Sequence, residues 1–307
     1  LKGEVLLPIS KRNEFEHEDD KDEAYILSVE TKDYPDNGSI DSVDYESDQE
    51  IDNSESIVYA PRRIGALSGT FVIQVTCGDR FTAALTREGQ LFSWGANDYG
   101  QLGVGDDEER DQPTSVEWMQ NVVVKAIAAG GEFMAAIIGN DQVYSWGRGA
   151  EGQLGVGYEV YDEPQCSPLP VNGISAPVVT IAAGGTHSAA VTKQGEMYTW
   201  GNGKYGQLGH GDTESLFKPR LVRELARSGE DEHIISVACG AQHTLALTSS
   251  RAIYSWGSGE GGLLGYGIGN KISCVPTIVS ALAGYSVQSI GCTAFGSFAI
   301  IEGRNNS

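Results

Sequence analysis

The sequence predicts an all-β protein, a β-propeller built from four-stranded blades, and three observations carry that prediction. One phrase is written four times: LFSWGANDYGQLGVGD from Leu91, VYSWGRGAEGQLGVGY from Val143, MYTWGNGKYGQLGHGD from Met197 and IYSWGSGEGGLLGYGI from Ile253. Its tryptophans, Trp94, Trp146, Trp200 and Trp256, stand 52, 54 and 56 residues apart, which is a structural period and not a catalytic spacing. Each period holds four short runs rich in β-branched and aromatic residues, divided by turn residues, and such units bury both faces only by stacking on one another.

Taken in order, residues 1–58 open with a short apolar stretch (Val5, Leu6, Leu7, Pro8, Ile9) and continue as a polar acidic tract. Residues 1–60 carry 18 Asp and Glu against 5 Lys and Arg, so this segment holds -13 of the formal net charge of -21. Charge this dense with so few apolar side chains does not offset chain entropy, and the segment is expected to be disordered or a long inserted loop. Ser42, Ser47 and Ser54 are its candidate phosphorylation positions, and a basic partner its natural counterpart.

The repeats occupy 59–301, followed by a tail at 302–307. VYAPRRI at Val58–Ile64 has the form of a repeat's end, as later copies close on Pro113, Pro219 and Pro276. In the first full copy the expected strands are 72–76 (VIQVT), 82–86 (TAALT), 90–94 and a looser run at 113–116. The tryptophan is large enough to fill the wedge between neighbouring blades, and Gly95, Gly147, Gly201 and Gly257 turn the chain directly after it. In GQLG a single leucine (Leu102, Leu154, Leu208, and Leu264 in the variant GLLG) is set between two glycines as an apolar plug. A half copy, SVQSIGCTAFGSFAI, closes the array at 286–300.

Composition excludes several classes of function. There is no run of 18 apolar residues to span a membrane as a helix, and a surface this acidic repels nucleic-acid phosphates. Cys77, Cys239 and Cys292 fall at one repeat position, where Ala129 and Ala183 stand in other copies, so a small buried residue is expected there. Five cysteines without a CxxC pair suit unpaired thiols in a reducing compartment, nucleus or cytoplasm. GRGAEG, GNGKYG and GSGEGG match the GxGxxG pattern, yet they recur between strands and open no helix, so no nucleotide cofactor is expected. No metal-ligand spacing or catalytic constellation stands out, and neither metal nor covalent chemistry is expected.

The turn between the first two strands differs from copy to copy: CGDRFT at Cys77, AGGEFM at Ala129, AGGTHS at Ala183, CGAQHT at Cys239 and CTAFGS at Cys292. Shared positions build the turn, and differing ones are free to recognise a partner. The candidate partner-binding residues are Asp79, Arg80, Phe81, Glu132, Phe133, His187, Gln242 and His243. The two histidines also suit hydrogen bonds that stabilise the turns themselves.

SWGxxxxGQLGxG with an upstream AxGxxHTxAL resembles the repeat of the regulator of chromosome condensation family over residues 58–301. The resemblance implies a seven-bladed propeller, of which four full copies and partial ones are present here. It implies a protein-interaction module or adaptor that binds a protein partner on one face of the disc. The alternative it implies is guanine-nucleotide exchange on a Ran-like small GTPase. In the family's exchange factor acidic residues of this turn help displace nucleotide, and Asp79 matches that position, with Glu132 one place along in the next blade. This chain departs from that factor in having the ordinary ANDYGQLGVGD where the factor carries an inserted wedge. The family's plant ultraviolet receptor uses tryptophans in the same turn, where this chain has Asp79, Gly131, Gly185, Ala241 and Ala294, so light sensing is not expected.

Overall fold

The computed structural model describes residues 61–119, 122–157, 163–226, 232–267 and 272–304. The acidic segment at 1–58 lies outside the described residues, as do its candidate phosphorylation positions. The chain divides into two units, Leu1–Phe71 and Val72–Ser307. In the first, a 3-10 turn at Gly65–Leu67 is followed by Ser68, whose hydroxyl accepts from the Arg63 guanidinium at 2.6 Å.

The second unit is an all-β propeller of four-stranded antiparallel sheets. Blade 1 contains β1 (Val72–Cys77), β2 (Phe81–Thr86), β3 (Leu91–Gly95) and β4 (Arg110–Ser115). Blade 2 contains β5 (Val124–Ala129), β6 (Phe133–Ile138), β7 (Val143–Gly147) and β8 (Gln165–Pro170). In blade 3 the strands are β9 (Val178–Ala183), β10 (His187–Thr192), β11 (Met197–Gly201) and β12 (Leu216–Leu221). Blade 4 has β13 (Ile234–Cys239), β14 (His243–Thr248), β15 (Ile253–Ser258) and β16 (Ile272–Ile278), and β17 (Tyr285–Thr293) with β18 (Gly296–Arg304) forms a final hairpin. Strands follow one another in sequence order across each sheet, and the first strands of successive sheets adjoin.

The central strands β2, β6, β10 and β14 are buried along their whole length. That explains why MAAII, SAAVT and TLALT lack polar alternation: both faces meet a neighbouring sheet. The outer strands β4, β8, β12 and β16 all carry proline, which withholds an N–H from a would-be pairing partner on an edge. Pairing of Gly95 with Arg110 starts β4 three residues before the expected run at 113, across an irregular register between Ser93 and Gly95.

The core lies between blades. One cluster joins Phe81, Leu85, Leu91 and Leu102 of blade 1 to Met134 and Trp146 of blade 2; a second joins Val191 and Met197 of blade 3 to Ala246 and Trp256 of blade 4. Trp146, Trp200 and Trp256 are at most 1% exposed, as expected for wedge fillers, whereas Trp94, the first of the four, is half-buried. Each indole Nε1–H donates backwards to the carbonyl of the GQLG glutamine in the preceding blade: Trp146 to Gln101 (3.0 Å), Trp200 to Gln153 (2.8 Å) and Trp256 to Gln207 (2.8 Å). The plug leucines are buried, and each leucine carbonyl is held within its own blade by the hydroxyl that precedes the tryptophan, Ser93, Ser145, Thr199 or Ser255, at 2.6–2.7 Å.

The second glycine of GQLG is required twice over. Gly155 has φ +67°, and a Cβ there would stand 2.6 Å from Trp200 Nε1; Gly103 and Gly209 meet Trp146 and Trp256 in the same way. The expectation of a small buried residue at the cysteine position needs correction: Cys77 is exposed, while Cys239 and Cys292 are half-buried. Gln74 and Thr76 of β1 reach across to β5, bonding the backbone of Ile127 and Ala129, so the alternate residues Ile73, Val75 and Cys77 point away from blade 2 and remain exposed.

Trp200→Ala is expected to cost about 3–5 kcal/mol of unfolding free energy in urea, through the cavity and the lost bond to Gln153. Gly155→Ala is expected to cost at least about 2 kcal/mol by combining left-handed strain with overpacking against the indole. A loss below about 1 kcal/mol in either variant contradicts this account of the blade junction.

Candidate functional site

The β1–β2 turn and the loop after the tryptophan share one end of each blade, since Phe81 pairs with Gly95, Phe133 with Gly147, His187 with Gly201 and His243 with Gly257. Ala96, Arg148, Asn202 and Ser258 then donate their N–H to the carbonyls of Arg80, Glu132, Thr186 and Gln242 at 2.8–2.9 Å, tying loop to turn.

The turns are also tied to each other. Asp79 N–H donates to the Gly131 carbonyl (2.9 Å), Gly131 N–H to those of Gly184 (3.2 Å) and Gly185 (3.3 Å), Gly185 N–H to that of Gly240 (3.2 Å), and Ala241 N–H to that of Ala294 (3.2 Å). This backbone ladder sets all five turns side by side, from Asp79 in blade 1 to Ala294 in the final hairpin. Because main-chain atoms make the row, the side chains on it are free to differ.

The candidate residues fall into two groups. Asp79 and Arg80 are exposed, and Glu132 and Gln242 half-buried, all four on the row. Phe81 (4%), Phe133, His187 and His243 (all 0%) are buried, which removes them as partner contacts. Each ring lies over the glycine three residues before it: a Cβ on Gly78 would stand 2.0 Å from Phe81 Cε1, and one on Gly184 2.5 Å from His187 Cε1. A flat ring is what this space accepts, so phenylalanine and histidine replace one another. The histidines do not bond within their own turns either: His187 Nε2 lies 2.9 Å from Thr244 Oγ1 and His243 Nε2 2.9 Å from Ser297 Oγ, each in the next sheet.

Several residues of the face carried no signal in the sequence. Glu132 accepts from Arg148 at 2.6 Å, and the Arg148 guanidinium lies 5.0 Å from the centre of the Tyr99 ring in the preceding blade. The hydrogen bond to Glu132 raises the Arg148 pKa above its ordinary value, partly opposed by burial. Arg80 pairs with Asp98 at 2.6 Å, and Lys204 approaches Glu151 at 3.7 Å. Phe295 occupies the place of Arg80 in the last turn and is 85% exposed. Along the row the corresponding side chains are therefore basic (Arg80), acidic (Glu132), hydroxyl (Thr186), amide (Gln242) and aromatic (Phe295). Among the described residues no group of three His, Cys, Asp or Glu is placed to hold a metal.

Residues 88–137, 140–191, 194–247 and 252–300 match the Regulator of chromosome condensation (RCC1) repeat, and a second description of the same repeat matches 72–101, 178–207 and 234–262. The chain belongs to the regulator of chromosome condensation family. The E3 ubiquitin-protein ligase HERC2 of Homo sapiens is 38% identical to it over 240 residues, 76% of this chain and 5% of that protein. The Ultraviolet-B receptor UVR8 of Arabidopsis thaliana is 35% identical over 254 residues, 82% of this chain and 56% of the receptor. This RCC1-type chain thus spans a small part of the first relative and little more than half of the second. Among solved structures, yeast RCC1 (Prp20), determined with bound Kap60, superposes with a TM-score of 0.69 at 25% identity over 80% of this chain and 57% of that one. Human WBSCR16 superposes with a TM-score of 0.73 at 24% identity, over 83% and 64%, a likeness of fold alone. No helix among the described residues of this RCC1-type propeller is long and apolar enough to cross a membrane.

The Glu132–Arg148 pair has side chains 24% and 39% exposed, the Arg80–Asp98 pair 62% and 59%. Double-mutant cycles with Glu132→Gln and Arg148→Met are expected to give a coupling of about 1 kcal/mol, and cycles on Arg80 and Asp98 less than about half of that. Equal couplings for the two pairs contradict the view that Tyr99 and burial strengthen the former.

Proposed function

We propose that this RCC1-type propeller is an interaction module that binds a protein partner through the face bearing the turn row, with Asp79, Arg80, Glu132 and Gln242 as contacts. The observation that carries this reading is the contrast within the row. Its backbone ladder runs unbroken through five turns, while the side chains it displays change at every step. Asp79 is exposed and its carboxylate lies over Gly131, where even a Cβ would come within 3.2 Å of it. Gly131 beneath it is buried and Gly185 beyond it carries no side chain, so the exposed carboxylate is open to a basic side chain of the partner. Binding of this kind needs no cofactor. The five free thiols are compatible with a nuclear or cytoplasmic setting for the encounter.

Guanine-nucleotide exchange on a Ran-like GTPase is a second reading, favoured by the acid at Asp79. A solved structure of the yeast protein is described together with its binding properties to Gsp1p and histones. For exchange, Asp79 and Glu132 would compete with the nucleotide's metal and phosphate contacts and so favour the nucleotide-free GTPase. Glu132 is engaged by Arg148, which leaves Asp79 as the freer of the two acids.

The readings separate in one set of measurements with a purified Ran-type GTPase carrying a fluorescent GDP analogue. Exchange predicts accelerated release by the wild-type protein and at least a tenfold loss in Asp79→Ala; absence of acceleration removes the exchange reading. For the module, affinity capture by the wild-type protein is expected to weaken at least tenfold in Asp79→Ala/Gln242→Ala but to persist in Lys125→Ala, whose side chain pairs with Asp141 in the β6–β7 turn at the other end of the blade. Capture unaffected by the double substitution overturns the assignment of the face.

A further inference from the structure

We infer that the propeller contains an acid-sensitive device: the junctions on either side of blade 4 loosen on acidification while the two junctions before them hold. The inference rests on how the two buried histidines are bonded and not on the partner proposed above.

Thr244 Oγ1 donates to the Gln207 carbonyl at 2.8 Å, which occupies its single proton. Toward His187, 2.9 Å away, the hydroxyl therefore acts only as an acceptor, so the imidazole carries its proton on Nε2 and Nδ1 is bare. Blade 4 repeats the arrangement with the hairpin: Ser297 Oγ donates to the Leu263 carbonyl (2.7 Å) and accepts from His243 Nε2 (2.9 Å). Both Nδ1 atoms are buried with no hydrogen-bond partner. They lie over Gly184 and Gly240, where a Cβ would come within 2.7 and 2.5 Å of them. A proton added at Nδ1 would thus create a buried donor without an acceptor and a buried charge without a counter-ion.

Little around the rings offsets that charge. Burial lowers the His187 pKa to about 3, with the neighbouring His243 acting in the same direction. For His243 burial again lowers the pKa, opposed by the Gly296 backbone. The nearby titratable groups are the Cys239 thiol, bonded to Thr244, and the Cys292 thiol, bonded to Ser297; burial raises both, Cys292 to about 12, so both stay neutral in acid. The first two junctions have no such group. Phe81 faces the cluster containing Met134, and the ring position of blade 2 is Phe133.

The sign follows from linkage. An opened junction takes up a proton at His187 below its ordinary pKa of 6.5, whereas the closed one does not until about 3. The closed form is therefore at full strength above pH 6.5 and weakens as pH falls toward 3, with opening at pH 5 favoured roughly 30-fold over that at pH 8 from His187 alone. The same junctions carry the ladder bonds from Gly185 to Gly240 and from Ala241 to Ala294, so acid would loosen the Gln242 and Phe295 end of the row and spare the Asp79 and Glu132 end.

Hydrogen exchange of the full chain read by mass spectrometry at pH 8, 6.5 and 5, with labelling times scaled for intrinsic amide rates, tests this. Protection in β13 and β14 is expected to fall roughly 30-fold by pH 5, and that in β17 and β18 to fall with it, while β5 and β6 keep theirs. In His187→Phe/Thr244→Met, which copies the Phe81 and Met134 pair, the loss at the junction of blades 3 and 4 should shrink to what the half-buried His210 of blade 3, its pKa lowered to about 4 by burial, still contributes. Uniform loss across all blades, no loss, or an equal loss in the variant overturns the inference. Should the variant not fold, nitrogen spectra of histidine-labelled wild type decide: the Nε2–H tautomer persisting unprotonated at pH 5 supports the device, and titration of either ring near 6.5 in the folded protein overturns it.

Discussion

The contact on which the rest of the propeller depends is the indole of one blade resting on the GQLG loop of the blade before it. Neither half is stable alone. Without the next blade the glutamine carbonyl would have only water as its donor, and a lone tryptophan would leave a large apolar face in water. The bonds join residues 45, 47 and 49 positions apart in the chain, so each copy is completed by its successor. The separation grows by two residues from copy to copy while the bond is kept, so the indole–loop contact is the fixed element and the chain between its two halves varies in length.

From that contact the face follows. Once neighbouring blades are locked, their first turns are brought within main-chain hydrogen-bonding distance, and the ladder from Asp79 to Ala294 forms without help from side chains. A surface built by backbone and exposed at its side chains tolerates substitution without loss of fold. One scaffold can therefore accept acidic, amide or aromatic positions according to what it must bind. The pairs Arg80–Asp98 and Glu132–Arg148 trim this freedom, because each takes one charge of the row into a contact within its own blade.

The propeller was readable from the sequence because its signals are periodic: the four tryptophans, the plug leucines and the apolar runs repeat in step, and the strands lie within a few residues of the expected ranges. The face was read only in part. Asp79, Arg80, Glu132 and Gln242 stand out as differences between copies, whereas Tyr99 and Arg148 meet across a blade junction, which neighbouring residues in sequence do not reveal. Burial of Phe81, Phe133, His187 and His243 was hidden for a different reason. A turn position is ordinarily exposed, but here the ring folds back over the preceding glycine and under the adjacent blade.

Those rings also show how the copies drift. His187 faces Thr244 and His243 faces Ser297, hydroxyls that also serve a carbonyl of the preceding loop, while Phe81 shares a cluster with Met134, which has no hydroxyl to offer. In the last turn the pattern is inverted: Thr293 stands where Gly78, Gly130, Gly184 and Gly240 stand elsewhere, and Gly296 replaces the ring. A Cβ on Gly296 would meet Thr293 Oγ1 at 2.8 Å, so the bulk lost at one position has been recovered at the other. The variable unit of this propeller is consequently a junction and not a blade. A residue that enters one copy must be matched by a residue roughly fifty positions further on, or by its own turn partner, and the copies differ in pairs because the physics couples them in pairs.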